Sequence, residues 1–294
     1  MRQFNLPAWI EPHLYSGKNF NELNDAELIE IKSRLAFFKN ERPLVSIVIP
    51  AYNEQDSLFR TLSSLSSNET TYDVEIIVIN NSSTDNTQSL VDLLEVRNFM
   101  QDQQGIAYAR ELGLHHAKGE YHLCADADTL YPPGWINEMV GPMIEDKELV
   151  CVYGRHSFLS KATQDRFPLF VYEALTGILV RIRKFKREFI NVHGFNMGFK
   201  TDAGRKAGGF KVHQARKLDN AAGSSYFVLE AEDGTIALNL MKIGKIKLMT
   251  NQSTRVFTSA RRLVAEGGIL RSFMIRIKLH GKMMFEYLSG KTIN

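Results

Sequence analysis

The stretch 44-LVSIVIPAY-52 is apolar at nearly every position and rich in β-branched residues. That is the composition of a strand buried on both faces. A second stretch of the same kind, 74-VEIIVIN-80, follows 54-EQDSLFRTLSSLSSN-68, which carries a helical pattern, and leads into the polar turn 81-NSSTD-85. A third unit repeats the alternation, with 105-GIAYARELGLHHAKG-119 as helix and 120-EYHLCAD-126 as strand. Strands and helices in this order predict an open α/β sheet, in which ligands sit beyond the carboxyl ends of the strands.

Upstream, 23-LNDAELIEIKSRLAFFK-39 places Leu28, Ile31, Leu35 and Phe38 at helical spacing, and Pro43 separates this helix from the first strand. Residues 1–22, with Pro7, Pro12 and Gly17 among aromatics, read as an irregular lead-in lying across the main domain. Downstream, strand-like pieces at 149–159 and 190–200 flank a helix candidate at 168–185. A Gly-rich turn is expected at 204-GRKAGGF-210, a short strand around 226-YFVLE-230, a helix over 233-DGTIALNLMKIG-244, and a largely helical tail over 255–288. The chain divides into an N-terminal packing segment (1–39), an α/β domain (40–250) and a C-terminal helical segment (251–294).

The 294 residues are 44% hydrophobic and 23% charged, a globular balance that argues against disorder along the chain. A net charge of +3 does not identify a nucleic-acid binder, and the basic runs 181-RIRKFKR-187 and 271-RSFMIRIKLHGK-282 lack a recognition motif. Two cysteines, Cys124 and Cys151, form no disulfide framework, so a reducing, cytoplasmic setting is expected. No stretch approaches the roughly 20 apolar residues that span a bilayer, so any membrane attachment is peripheral. The segment 269-ILRSFMIRIKLHGKMMFEYL-288 has two readings, contact with an anionic lipid surface or packing on the domain. The first strand is not followed by G-x-G-x-x-G, which disfavours a dinucleotide-dependent dehydrogenase. Nor does 50-PAYNEQDSL-58 carry the Gly-rich phosphate loop and nearby Lys of a nucleotidyltransferase.

The sharpest local feature is 124-CADADTLYPPGW-135, where Asp126 and Asp128 stand at the junction of an apolar strand and a Pro-rich turn. Spacing alone leaves three readings: a cation site, a solvated turn, or a helix cap. A cation held there, Mg²⁺ or Mn²⁺, needs only one or two protein oxygens when phosphates and water complete its shell. In that arrangement Asp128 binds it more directly, and Asp126 reaches the ribose or the water shell. Arg110 suits either a phosphate contact or a salt bridge to an acidic loop. Asp102, in a polar turn, is a weaker candidate for the same pocket.

Taken in order, 46-SIVIPAYNEQDSLFRTLSSL-65, 75-EIIVINNSSTDNT-87, 105-GIAYARELGLHHAKGEYHLCADADTLYPPGWI-136, 194-GFNMGFKTDAGRKAGGF-210 and 232-EDGTIALNLMKIG-244 resemble the family 2 glycosyltransferases. The resemblance implies a GT-A-like nucleotide-sugar-binding sheet flanked by helices, with N- and C-terminal helical packing elements. It implies inverting transfer from a nucleotide sugar, UDP-linked, to a hydroxyl acceptor on a glycan or glycolipid. Pro50, Ala51, Tyr52 and Glu54 match the segment around the donor base and ribose, and Asp126 and Asp128 match the acidic metal and donor motif. Asp233 matches the acceptor-activating base, while its helix-start position also suits a cap; Glu232 matches an acceptor-orienting residue. Asn80 stands where relatives commonly carry Asp, exchanging a carboxylate for an amide at the nucleotide base. Glu111 stands where Asn is common. His193, Gly194, Gly208, Gly209 and Phe210 fall on the acceptor-side wall, where the glycines also read as a tight turn and His193 as a packed residue. Trp135 is expected to pack behind the acidic turn. A nonenzymatic nucleotide-sugar-binding protein and a sugar nucleotidyltransferase are the alternatives.

Overall fold

The computed structural model describes residues 6–159, 167–183, 188–211 and 232–261. Two short 3-10 segments, Ala8–Gly17 and Phe20–Glu22, precede helix α1 (Asp25–Leu35). Helix α1 starts on a capping box: Asn24 Oδ1 accepts from the Glu27 N–H at 2.9 Å, and the Glu27 carboxylate accepts from the Asn24 N–H. Then follow β1 (Val45–Ala51), α2 (Gln55–Ser66), β2 (Val74–Asn80), α3 (Thr87–Leu93), β3 (Arg97–Met100), α4 (Ile106–His116) and β4 (Tyr121–Cys124). The second half runs β5 (Thr129–Leu130), α5 (Trp135–Glu145), β6 (Leu149–Tyr153), β7 (His156–Leu159), α6 (Phe167–Arg183), β8 (Met197–Lys200), α7 (Thr201–Lys206), α8 (Glu232–Leu240), β9 (Lys245–Leu248) and β10 (Val256–Ser259).

Seven strands form one sheet in the order β3-β2-β1-β4-β8-β6-β9. β3, β2, β1 and β4 run parallel, β8 is antiparallel to both β4 and β6, and β6 is parallel to β9. The alternation of side chains explains why β1 and β2 are apolar throughout. Ile47, Ile49, Ile76 and Val78 face the core shared with α1, α2, α3 and α5, while Val48, Ile77 and Ile79 face Ala109 of α4. Gly113 permits this second packing, because a Cβ there would overlap the Val48 side chain. Strand order reverses between β1 and β4, and their carboxyl ends open the crevice in which a ligand of an open α/β sheet binds.

A smaller sheet, β5-β10-β7, stands beside this crevice. Here the structure departs from the expected helical tail: Val256–Ser259 is a strand, inserted antiparallel to β5 and parallel to β7. Its partners are distant in sequence, so no local pattern announces it. The Gly-rich turn also starts later than expected, since Gly204 lies inside α7 and the turn is confined to 207–210. The lead-in does lie across the domain: Ile10 packs with Leu130 and Phe257, and Tyr15 packs edge-on against Phe59. The strand expected around 226–230 and the tail beyond 261 lie outside the described residues. Among the described residues no helix is long and apolar enough to cross a membrane.

Candidate functional site

The crevice at the ends of β1 and β4 is lined by Pro50, Ala51, Tyr52, Glu54, Asn81, Ile106, Asp126, Ala127, Asp128 and Arg261. The loops after β1 and β2 are laced together behind it. Asn53 adopts a left-handed φ of 54°, which its short amide side chain tolerates. Its Oδ1 accepts from the Thr84 N–H at 2.8 Å, and its own N–H donates to Ser83 Oγ at 3.0 Å. The Glu54 N–H donates to Thr87 Oγ1 at 2.9 Å. These bonds hold Glu54 at the start of α2 with its carboxylate toward the crevice.

Asp126 and Asp128 occupy the turn between β4 and β5, and each carboxylate meets a different arginine. Arg110, from α4, donates through Nη2 to Asp126 Oδ1 and through Nη1 to Glu232 Oε1, both at 2.9 Å. Its side chain is 4% exposed. Burial alone would depress the guanidinium pKa, but Asp126, Glu232 and Asp233 outweigh it and push the pKa up. Asp128 Oδ2 instead accepts from Arg261 Nη2 at 2.9 Å, and the same nitrogen donates to Glu54 Oε1. The new strand β10 explains how Arg261 arrives there, because the Ser259 N–H donates to the Asp128 carbonyl at 3.1 Å. Burial pushes the Glu54 carboxyl pKa up, and Arg261 opposes that shift.

Beyond the acidic turn, residues 193–196 lead into β8 beside β4. Tyr131 joins the two sides: its hydroxyl accepts from the Asp126 N–H and donates to the Phe195 carbonyl, both at 2.9 Å. Trp135 is fully buried behind the acidic turn and donates through Nε1 to Asn196 Oδ1 at 2.9 Å. Asp233, at the start of α8, accepts from the Gly194 N–H at 3.0 Å and from the Gly234 N–H at 2.8 Å. Gly194 is required at that place, since a Cβ would overlap the Arg110 guanidinium. The His193 ring stacks parallel to Phe195 at 5.3 Å, and His156 stands edge-on to both.

Arg110 thus draws Asp126, Glu232 and Asp233 into one electrostatic cluster, and Pro50, Ala51, Tyr52, Glu54 and Asp128 line the same crevice. Asn80 and Phe210 do not open onto it. Asn80 is buried, with Nδ2 donating to Gln88 Oε1 at 2.7 Å and Oδ1 accepting from the Ser83 N–H at 3.0 Å, so its own loop uses both ends of the amide. The neighbouring Asn81 lines the crevice instead. The Phe210 ring is 1% exposed, packed against Phe199 with the Arg110 guanidinium 6.0 Å from its centroid. An apolar ring at a turn is drawn inward when a core site is free, and this one completes the cluster around β6 and β8.

Gly208 and Gly209 have φ of 95° and 66° and close the end of α7, so the tight-turn reading describes their backbone. Glu111 has a definite place here: Oε2 accepts from the Phe210 N–H at 2.8 Å and pins that turn. The side chain of Asp102 is exposed and does not line the crevice. Ile106, Asn81 and above all Arg261 are lining residues that the sequence did not single out. For Arg261 the only signal is a basic residue just beyond the strand-like run 256-VFTS-259.

The model of the family described as glycosyl transferase family 2 matches residues 46–206, more than half of the 294 residues. The chain belongs to this glycosyltransferase family. A hyaluronan synthase from Pasteurella multocida is 30% identical to this family 2 chain over 218 residues, which is 71% of the chain and 20% of the relative. The chain therefore spans about a fifth of that relative's length. Among solved structures, Staphylococcus aureus TarS 1-349 in complex with UDP-GlcNAc shares 15% identity at a TM-score of 0.52, covering 73% of this chain and 58% of TarS. Glucosyl-3-phosphoglycerate synthase from Mycobacterium tuberculosis, in complex with Mn²⁺, UDP-glucose and phosphoglyceric acid, shares 17% identity at a TM-score of 0.52 and covers 86% of this chain and 84% of its own. At these identities the likeness is one of fold, and that fold is the GT-A arrangement expected from the sequence.

Proposed function

We propose that this glycosyltransferase moves a sugar, with inversion, from a UDP-linked donor to a hydroxyl of a glycan or glycolipid, and that Mg²⁺ or Mn²⁺ bound at Asp128 and Asp126 assists. The observation that carries the reading is the crevice at the strand-order reversal, with Asp126 and Asp128 on one side and Asp233 tied to the same cluster through Arg110. The UDP-sugar complexes of the structural neighbours and the polysaccharide-synthesising relative support the donor and acceptor classes.

The residues fit a hard divalent cation. Asp126 and Asp128 offer carboxylate oxygens, the donors that Mg²⁺ and Mn²⁺ prefer, and the crevice already holds a positive charge against Asp128 in the form of Arg261. Bound there, the cation supplies Lewis-acid stabilisation of the charge on the departing diphosphate. Arg110 keeps Asp126 oriented. The wall of Tyr52, Ile106 and Ala127 excludes water from one side of the donor.

Asp233 takes the proton of the acceptor hydroxyl as its oxygen attacks the anomeric carbon and the bond to the diphosphate breaks. The Gly194 N–H bonds Asp233 Oδ2 and the Gly234 N–H bonds Oδ1, which fill two of roughly four lone-pair sites, so each oxygen keeps a lone pair for that proton. Attack from the face opposite the diphosphate inverts the sugar. Glu232, held by Arg110, borders the same place; His193 presents its ring beside Gly194, and the 208–210 turn supports the wall from behind.

Asp233→Asn keeps the size of the side chain and removes the base. Its transfer rate should fall about 10²-fold or more while donor affinity stays within a few-fold, as measured by initial rates beside donor titration. Near-normal turnover would reject the base assignment, and a retained anomer in the product would reject direct displacement. Binding of donor with no transfer across a broad acceptor panel would favour a nonenzymatic binding protein. Chelation should suppress transfer and added Mg²⁺ or Mn²⁺ restore it; full metal-free turnover would remove the cation from the reading.

A further inference from the structure

Arg261 is a charged crevice residue that the donor and acceptor roles above leave unused, and its position is unusual for a surface arginine. It stands two residues beyond the end of β10, is 54% exposed, and reaches over the crevice to bridge Glu54 from the β1 side and Asp128 from the β4 side. Those two carboxylates otherwise face each other across the pocket and repel, as the effect of Asp128 on Glu54 shows. The guanidinium stands between them and offsets that repulsion. It therefore occupies the place next to Asp128 that a divalent cation would take.

Two cations cannot share Asp128 Oδ2 without repulsion, and a guanidinium displaced from it keeps Glu54 Oε1 but has further N–H donors left over. The nearest suitable partner is then the diphosphate that enters with the cation, since guanidinium N–H groups match phosphate oxygens in pairs. We propose that Arg261 is an exchangeable counter-cation of the donor site: it holds Asp128 and Glu54 when the pocket is empty, yields Asp128 to the divalent ion, and then binds the diphosphate of the donor. The inference rests on the reading of Asp128 as a cation ligand. It adds a diphosphate-binding residue that lies outside the matched family segment at 46–206. It also makes cation binding competitive with an internal charge.

The exchange predicts opposite effects of one substitution on two ligands. Mn²⁺ alone, titrated by electron paramagnetic resonance in the absence of nucleotide, should bind Arg261→Ala several-fold more tightly than the unmodified protein. UDP, titrated calorimetrically at saturating Mn²⁺, should bind Arg261→Ala about tenfold more weakly, as expected for loss of a charge-assisted contact. Arg261→Lys should fall between the two for both ligands. Asp128→Asn should lose Mn²⁺ binding whatever stands at 261. Thermal melts of each variant report whether the fold persists, and the half-exposed side chain makes persistence the expected result.

If Arg261→Ala binds Mn²⁺ no better than the unmodified protein while Asp128→Asn loses it, the exchange is overturned and the cation site stands. If Arg261→Ala tightens Mn²⁺ but leaves UDP affinity unchanged, the diphosphate contact is overturned. If Asp128→Asn binds Mn²⁺ normally, the cation reading and the exchange fall together.

Discussion

Arg110 and Arg261 each bridge two carboxylates, and each stands beside one member of the Asp126 and Asp128 pair, yet the two environments are opposite. Arg110 is 4% exposed and is closed in by Gly194, Phe210, Asp126 and Glu232. Arg261 is 54% exposed and approaches from the rim. A buried guanidinium whose neighbours are all charged or close-packed has no other place to go, so Arg110 fixes geometry. An exposed one exchanges partners at little cost, because water competes for every bond it makes. Two aspartates only two positions apart in sequence are thus given one rigid and one replaceable counter-charge.

The largest expected effect tests the rigid side. Arg110→Met leaves Asp126 and Glu232 without their buried partner and should destabilise the fold by on the order of 3–5 kcal/mol, read from urea or thermal unfolding. The corresponding Arg261→Met should cost no more than about 1 kcal/mol. Equal losses in the two variants would erase the distinction between the two arginines.

A smaller effect sharpens the same contrast on the pH axis. His122 is fully buried in β4, stacks on Phe199 at 4.7 Å, and has its pKa pushed down to about 3, first by burial and then by Arg205 and Arg110. His13 is pushed down to about 4, again chiefly by burial. Below pH ~6.5, the usual histidine value, the unfolded chain takes up protons that the folded chain refuses at both positions. Stability should therefore fall as pH drops from about 6.5 toward 4, and His122→Phe should flatten part of that slope in unfolding curves taken at pH 7 and pH 5. An unchanged slope in His122→Phe would mean that this imidazole accepts a proton in the folded state.

How much of this was legible from residues alone follows the range of the interactions. β1 and β2 were read at their true positions because burial on both faces leaves an unbroken apolar run, and α1, α2 and α4 because each carries a one-sided pattern. β3 and β9 were missed: Arg97–Met100 and Lys245–Leu248 are the two edges of the sheet, only partly covered and without an unbroken apolar run. β10 was read as helix because its pairing with β5 and β7 is set by tertiary contact. The same limit applies at the crevice. Asp126 and Asp128 stand out by local context and Asp233 by the family resemblance, whereas Arg261 meets Asp128 across 133 positions of sequence and Glu111 meets Phe210 across 99. The inward turn of Phe210 and the self-bonded amide of Asn80 depended on neighbours that no local motif names.

The Tyr131 hydroxyl has a consequence for how the two halves of the crevice move. One oxygen receives the Asp126 N–H and grips the Phe195 carbonyl, so the acidic turn and the 193–196 wall are braced like two leaves riveted at a single point. Burial lifts the phenol pKa well above its ordinary value, which favours the protonated form that donates to Phe195. Moving the turn away from residues 193–196 at this point would have to break one of those two hydrogen bonds.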